Sequence, residues 1–266
     1  MKWLFRARDW TFTLPFLAAF GAILLAFDLL QRLARPLGRR PHEAVVDGLQ
    51  VSLMTSLRLC GTRFHVEKAA DTVLPRPCIF VANHQSMFDV PILGAVLRPH
   101  HPKFVSKQEL ARRWIPSISF NLRHGGNALI DRADRQTAVA AIRRLGEEEI
   151  RGRGVSAVIY PEGTRARTGV LGPFKPQGLM TLMAAAPEAP LVPVAIDGSW
   201  RLLLHGLMPV PFGTRIRVFI GEAVERRAGE DAGQVLEALC HEIERTLERW
   251  READEGRAGP VPEPGA

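Results

Sequence analysis

His84 and Asp89 stand close together in the stretch NHQSMFD, which begins at Asn83 directly after the apolar run CIFVA. An imidazole at the end of a strand, with a carboxylate about one turn later, has what a general base needs. The carboxylate takes the proton of one ring nitrogen, fixes the tautomer, and leaves the other nitrogen free to deprotonate a hydroxyl. This is serine-hydrolase logic without the serine, so the attacking hydroxyl would come from the substrate. Plainer uses stay open: Asp89 as an N-cap ahead of Pro91, and His84 as a turn histidine bonded to backbone. A second group, YPEGTR at 160–165, follows the apolar run VSAVI. Gly163 permits a positive φ or close approach to a ligand. Thr164 offers a hydroxyl, Arg165 a planar fork suited to phosphate oxygens, and Glu162 a carboxylate to steady that arginine or bind a substrate hydroxyl. An ordinary strand-exit turn with a surface ion pair would read the same way.

Both groups need strand ends to hold them, and the pattern supplies these. Short apolar runs at 63–67, 78–82, 103–106, 127–130, 155–160, 191–196 and 215–220 are expected strands. Helical spacing marks 42–59, 133–150, a segment beginning near Gln177, and the stretch containing Val235, Leu236, Leu239, Ile243, Leu247 and Trp250. The expectation is an α/β fold: a mixed, largely parallel central sheet flanked by helices, with an N-terminal helical membrane-docking segment. The boundaries follow: residues 1–59 as membrane-associated helices, 60–252 as the α/β domain, and 253–266 as a Pro/Gly-rich disordered tail. Ligands of open α/β sheets bind at the carboxyl ends of strands, where both groups lie.

The chain has 266 residues, 46% apolar and 24% charged, which fits a folded domain rather than a disordered or multi-span protein. Lys and Arg outnumber Asp and Glu by 35 to 28, for a net charge of +7. That balance suits anionic partners, among them an anionic bilayer or a phosphate-bearing substrate. The apolar run at 10–27 sits at the lower limit for crossing a bilayer, which takes about 20 residues. A cleaved signal peptide is the weakest reading, since no small-residue cleavage site follows. Basic residues flank both ends (Lys2, Arg6, Arg8; Arg32, Arg35, Arg39, Arg40). A single span, half of an embedded hairpin, and a segment dipping into one leaflet all remain open. Cys60, Cys78 and Cys240 form no pair motif and read as small buried hydrophobes in a reducing compartment. The other histidines, His42, His65, His100, His101, His124, His205 and His241, are scattered and receive no role. His100 and His101, beside Pro102, are expected in an exposed loop. No metal site is expected.

NHQSMFD and YPEGTRARTG closely resemble the first and third signature blocks of the glycerolipid acyltransferases, specifically the 1-acyl-sn-glycerol-3-phosphate acyltransferases. FVSKQEL, Pro116 and GGNALIDR resemble the second block, and Leu191-Val192-Pro193-Val194 the fourth. Order and spacing agree from Cys78 to Ile196. Tyr160 stands where Phe is usual, Ala166 where Ser is frequent, Ala128-Leu129 where a bulkier pair is common, and FKPQGL in place of FKKGA.

The resemblance implies His84 as general base and Asp89 as its partner. It implies Glu162, Gly163, Thr164 and Arg165 as the acceptor-phosphate site, with Lys107 and Arg132 as further phosphate contacts. It implies transfer of a fatty acyl group from acyl-CoA or acyl-carrier protein to the hydroxyl of 1-acyl-sn-glycerol-3-phosphate, without a cofactor. The partners would be a thioester donor, a lyso-phospholipid acceptor and the bilayer, not nucleic acid. The place would be the inner (cytoplasmic) membrane, with the catalytic domain facing the cytosol. Other lyso-lipid acceptors, such as a lyso-ornithine lipid, form the nearest alternative; acyl hydrolysis and non-catalytic membrane binding are more distant. Oxyanion donors are expected among backbone N–H groups of the His84 turn.

Overall fold

A computed structural model describes residues 2–69, 73–131, 133–226 and 231–258. The strands are β1 (Arg63–Lys68), β2 (Ile79–Ala82), β3 (Lys103–Lys107), β4 (Ala128–Ile130), β5 (Ala157–Ile159), β6 (Leu191–Asp197) and β7 (Arg215–Ile220). The helices are α1 (Lys2–Ala34), α2 (Arg39–Ser56), α3 (Asp89–Val96), α4 (Gln108–Arg112), α5 (Ile118–His124), α6 (Arg135–Arg144), α7 (Pro176–Ala185) and α8 (Ala232–Ala258). All seven expected strands are present. They form one sheet in the order β1-β7-β6-β2-β5-β3-β4. Every neighbouring pair is parallel except β6 with β7. The sheet is therefore mixed and largely parallel.

Central β2 is buried along its whole length, as a strand covered on both faces must be. Its side chains alternate between two cores. Phe80 and Ala82 join Val192, Val194, Val218 and Phe88 on one face, under α1 and α3. Ile79 and Val81 join Ile159, Ile142, Leu179 and Leu239 on the other, under α6, α7 and α8. The α8 residues predicted to face inward are all buried. That helix runs on through Ala258, so residues 253–258 are helical rather than part of a tail; Asp254 is held there by Arg217, at 2.7 Å. The remainder of the expected tail lies outside the described residues. α4 and α5, too short to show periodicity, were not anticipated.

α1 is longer than its apolar run and is seated on the domain. Phe16 belongs to the main core. Near its start the Asp9 carboxylate accepts the N–H of Phe212 at 3.1 Å, and Thr13 Oγ1 accepts that of Val210 at 2.9 Å. Near its end Asp28 accepts the N–H of Ser117 at 2.7 Å. Its opposite face stays exposed and apolar: Leu14, Leu25, Leu29, Leu30, Leu33 and then Leu37. It is the one helix among the described residues long and apolar enough to cross a membrane.

Two histidines are buried, and one of them, His100, departs from the exposed loop expected of it. His100 is buried, its ring edge-on to Phe80 at 5.2 Å, and His42 is buried against Phe120. Burial pushes both down from 6.5 to about 4, with neighbouring cations adding to the effect. A base whose folded pKa is depressed contributes full stability above its unfolded value; that stability is lost as pH falls through the window from 6.5 to about 4. Each site is expected to cost on the order of 3 kcal/mol across that window. Thermal melting followed against pH should show the fall, and His100→Gln should flatten it.

Candidate active site

The turn between β2 and α3 brings the first motif together. His84 Nδ1 lies 2.8 Å from Asp89 Oδ2. Asp89 is the first residue of α3 and fully buried. The same Oδ2 accepts the N–H groups of Gln85 at 2.6 Å and Ser86 at 2.8 Å, and Oδ1 accepts the Ser199 hydroxyl at 2.5 Å. These donors, at the N-terminus of α3, satisfy the buried carboxylate from within the protein. An Nδ1–H donated to Asp89 leaves Nε2 with its lone pair, and Nε2 has no hydrogen-bond partner among the described residues. Tyr160 stacks on the imidazole, ring centroids 4.2 Å apart and planes 17° from parallel. Its hydroxyl is buried without a partner, and burial raises the phenol well above its usual value, with Asp89 adding to the rise.

β2 and β5 are parallel neighbours, so the loops leaving them lie side by side. Two contacts lock these loops. Glu162 Oε1 accepts the N–H of His84 at 2.6 Å, and Ala166 N–H donates to the His84 carbonyl at 2.7 Å. The other Glu162 oxygen accepts the N–H of Gly172 at 2.9 Å. Glu162 is thus a buried bracket between backbone segments, with no ion pair to Arg165. Burial pushes its pKa up, opposed by the two N–H donors and by His84.

Gly163 has φ +64, the conformation expected of it, and a Cβ there would sit 3.7 Å from Lys175 Nζ. Arg165 is half-buried and Thr164 and Lys175 are exposed. Among the described residues neither Arg165 nor Lys175 forms an ion pair, so both cations are available to an anion. Lys107 is exposed at the carboxyl end of β3. Register through β5 sets it two strands from Asn83 at the same level, about 10 Å away across the sheet. Arg132 lies outside the described residues.

Sequence reasoning missed Ser199 and Lys175. Ser199 reaches Asp89 only because β6 lies beside β2, which nothing near position 199 signals. Lys175 could have been found as the lysine kept in FKPQGL. The expectation for oxyanion donors narrows to one group: the N–H groups of His84, Gln85, Ser86, Phe88 and Asp89 are already engaged. Within that turn, Met87 alone has an N–H without a partner among the described residues. The described residues hold no group of His, Cys, Asp or Glu arranged to ligate a metal.

A family model described as Acyltransferase matches residues 63–197, from β1 to the end of β6, with both site loops inside. The chain belongs to the acyltransferase family. Similar curated members include the chloroplastic 1-acyl-sn-glycerol-3-phosphate acyltransferase BAT2 of Brassica napus, 31% identical over 62% of this chain and 44% of the relative. Another is the human 1-acyl-sn-glycerol-3-phosphate acyltransferase beta, 37% identical over 50% of this chain and 46% of the relative. The matched part spans about half the length of these acyltransferases. Among solved structures, the 1-acyl-sn-glycerophosphate (LPA) acyltransferase PlsC from Thermotoga maritima superposes with a TM-score of 0.74. It is 23% identical and is covered over 93% of this chain and 98% of its own. At that identity the likeness speaks for the fold. It extends beyond the acyltransferase stretch to most of the chain.

Two substitutions test the bracket and the buried carboxylate. Glu162→Gln keeps one acceptor but turns an N–H₂ toward a second donor, and is expected to cost about 1–3 kcal/mol in denaturant unfolding. Ser199→Ala leaves the fully buried Asp89 short of one donor. A loss in the same range, about 1–3 kcal/mol, is expected, while Ser199→Thr should retain part of the bond.

Proposed function

We propose that this chain transfers a fatty acyl group from a thioester donor to the free hydroxyl of 1-acyl-sn-glycerol-3-phosphate, forming phosphatidic acid at a bilayer surface. The observation that carries this reading is a buried-carboxylate imidazole whose Nε2 is free among the described residues, set beside a loop whose Arg165 and Lys175 form no ion pair among them. The curated relatives named above point to the same acceptor, and acyl-CoA and acyl-carrier protein are both suitable donors.

His84 Nε2 removes the proton of the acceptor hydroxyl as its oxygen attacks the thioester carbonyl. Asp89 stabilises the imidazolium that forms. The carbonyl oxygen becomes an oxyanion, for which the Met87 N–H is the donor left in the turn. Collapse breaks the carbon–sulfur bond, and the imidazolium returns its proton to the departing thiolate. Arg165 and Lys175 hold the acceptor phosphate, with Lys107 and Arg132 as outer contacts. Glu162 acts by fixing the backbone of both loops. The exposed apolar face of α1 enters one leaflet, and its basic ends meet anionic headgroups, each residue contributing about 1 kcal/mol. Because the buried face of the helix is committed to the domain, this arrangement suits docking in the plane of the membrane. An inner-membrane, cytosol-facing placement is consistent with a soluble thioester donor.

Acyl transfer by membranes carrying the wild-type or His84→Ala protein tests the reading. His84→Ala is expected to lose about 10²–10⁴-fold in kcat. Arg165→Ala should raise KM for lysophosphatidic acid more than for a lyso-ornithine lipid or other acceptor lacking a phosphate monoester. Free fatty acid released at the same rate without acceptor would replace this reading with hydrolysis.

A further inference from the structure

The loop between α4 and α5 carries an exposed tryptophan in a setting that keeps it from folding away. Trp114 is 74% exposed and Leu110, on α4, is 37% exposed. The loop around them is nonetheless rigid. The Ser119 hydroxyl reaches the carbonyls of Leu110 and Arg113 and accepts the N–H of Ile115 at 3.0 Å. Ser117, fully buried, is held with φ +63, a conformation unusual for a residue with a side chain.

What holds Ser117 there is α1. Its N–H donates to Asp28 Oδ1 at 2.7 Å, its hydroxyl to the Leu24 carbonyl at 2.7 Å, and its own carbonyl accepts Gln31 Nε2 at 3.3 Å. The loop is therefore fastened to α1 along one flank. Trp114 is three residues away, which limits its backbone to about 11 Å from Ser117. Leu25 and Leu29, both 59% exposed, follow Asp28 around the helix by about 60° and about 100°. The clasped flank of α1 thus borders its exposed apolar face. Arg112 and Arg113 are exposed beside the tryptophan. Arg113 is shared with Glu109 at 2.5 Å, while Arg112 has no ion pair among the described residues.

An exposed indole and leucine rimmed by arginines, joined to an apolar helix face, have the composition of a bilayer-interface contact. We infer that the 110–114 segment is a second foot on an anionic lipid surface, its indole seated at headgroup depth. This deepens the bilayer reading given above and rests on it. The foot has a consequence for the site. α4 begins directly after Lys107, so the segment joins the carboxyl edge of the sheet to α1. Two contacts, α1 and this loop, fix the tilt of the domain where one helix would let it roll about its axis. The edge carrying His84 and Arg165 is then held toward the lipid phase in which the acceptor resides.

A label placed at the indole position reads the contact directly. Cys60 and Cys78 are fully buried, so Trp114→Cys in a Cys240→Ser background gives one reactive thiol for an environment-sensitive fluorophore. Glu188→Cys in the same background, at the opposite edge of the sheet, is the control. With phosphatidylglycerol-containing vesicles, the label at 114 is expected to shift blue and be quenched by lipids carrying a quencher near the glycerol level, and the control to do neither. Wild-type protein that sediments with the vesicles while the label at 114 stays in water would overturn the foot and leave the helix docking intact. Failure of the wild type to sediment would sink both. Shielding of the label without lipid, with the chain sedimenting as a dimer, would assign the patch to a second copy and overturn the proposal. In activity, Trp114→Ala should lower turnover of vesicle-borne acceptor by about tenfold. It should leave a water-soluble short-chain acceptor within about twofold; equal loss with both would mark a structural role and overturn it.

Discussion

The site depends on one buried carboxylate whose oxygens are satisfied by protein donors. Asp89 has no solvent exposure, and a bare anion there would cost several kcal/mol. Its donors remove that cost: two backbone N–H groups, the imidazole and the Ser199 hydroxyl. In return the carboxylate fixes the imidazole tautomer and shapes the turn, because satisfying two consecutive N–H groups requires residues 84–89 to curl around it. Geometry and electrostatics of the base are thus a single feature, built at the junction of β2 and α3.

Around that junction the sheet order does the assembling. Placing β5 and β6 on either side of β2 sets the loops of both strands against the His84 turn. The β5 loop contributes Glu162 and the cations; the segment after β6 contributes Ser199. Asn83 binds the Ile196 backbone through both ends of its amide, at 2.9 and 2.7 Å, and so keeps β2 and β6 in register where the turn departs. Glu162 does for β5 what Asn83 does for β6. The carboxylate that looked like a ligand contact is spent on backbone, and the charges left without an ion pair among the described residues are those of Arg165 and Lys175.

The N-terminal helix has one face committed to the domain and an opposite face that is apolar and exposed. Phe16 and Phe20 pack on Phe88, with ring centroids 6.3 and 6.0 Å away, next to Asp89 in the motif. Asp9, Thr13 and Asp28 anchor its ends to domain backbone. A helix bonded in this way cannot leave the domain without exposing those polar groups to hydrocarbon, where each would cost several kcal/mol. Its length and hydropathy are those of a span, yet its partners are those of a surface helix. The same helix therefore joins an exposed apolar face to the turn that holds His84.

Much of this was legible in the residues. The central strands β2, β5 and β6 showed themselves as apolar runs because a doubly covered sheet needs continuous hydrophobicity, β7 showed itself by alternation, and α8 because one face is buried along its length. The pairing of His84 with Asp89 is local, since a turn of that length closes on itself. What the chain alone left open involved contacts between distant segments: the use of Glu162 as a bracket, Ser199 behind Asp89, the burial of His100, and the clasp between Ser117 and α1. Local types and spacing can name a base and its partner, because those residues meet through a few backbone dihedrals. Which donors satisfy that partner, and which face of α1 is left exposed, is decided by strand order and packing, which are properties of the folded core rather than of any short stretch.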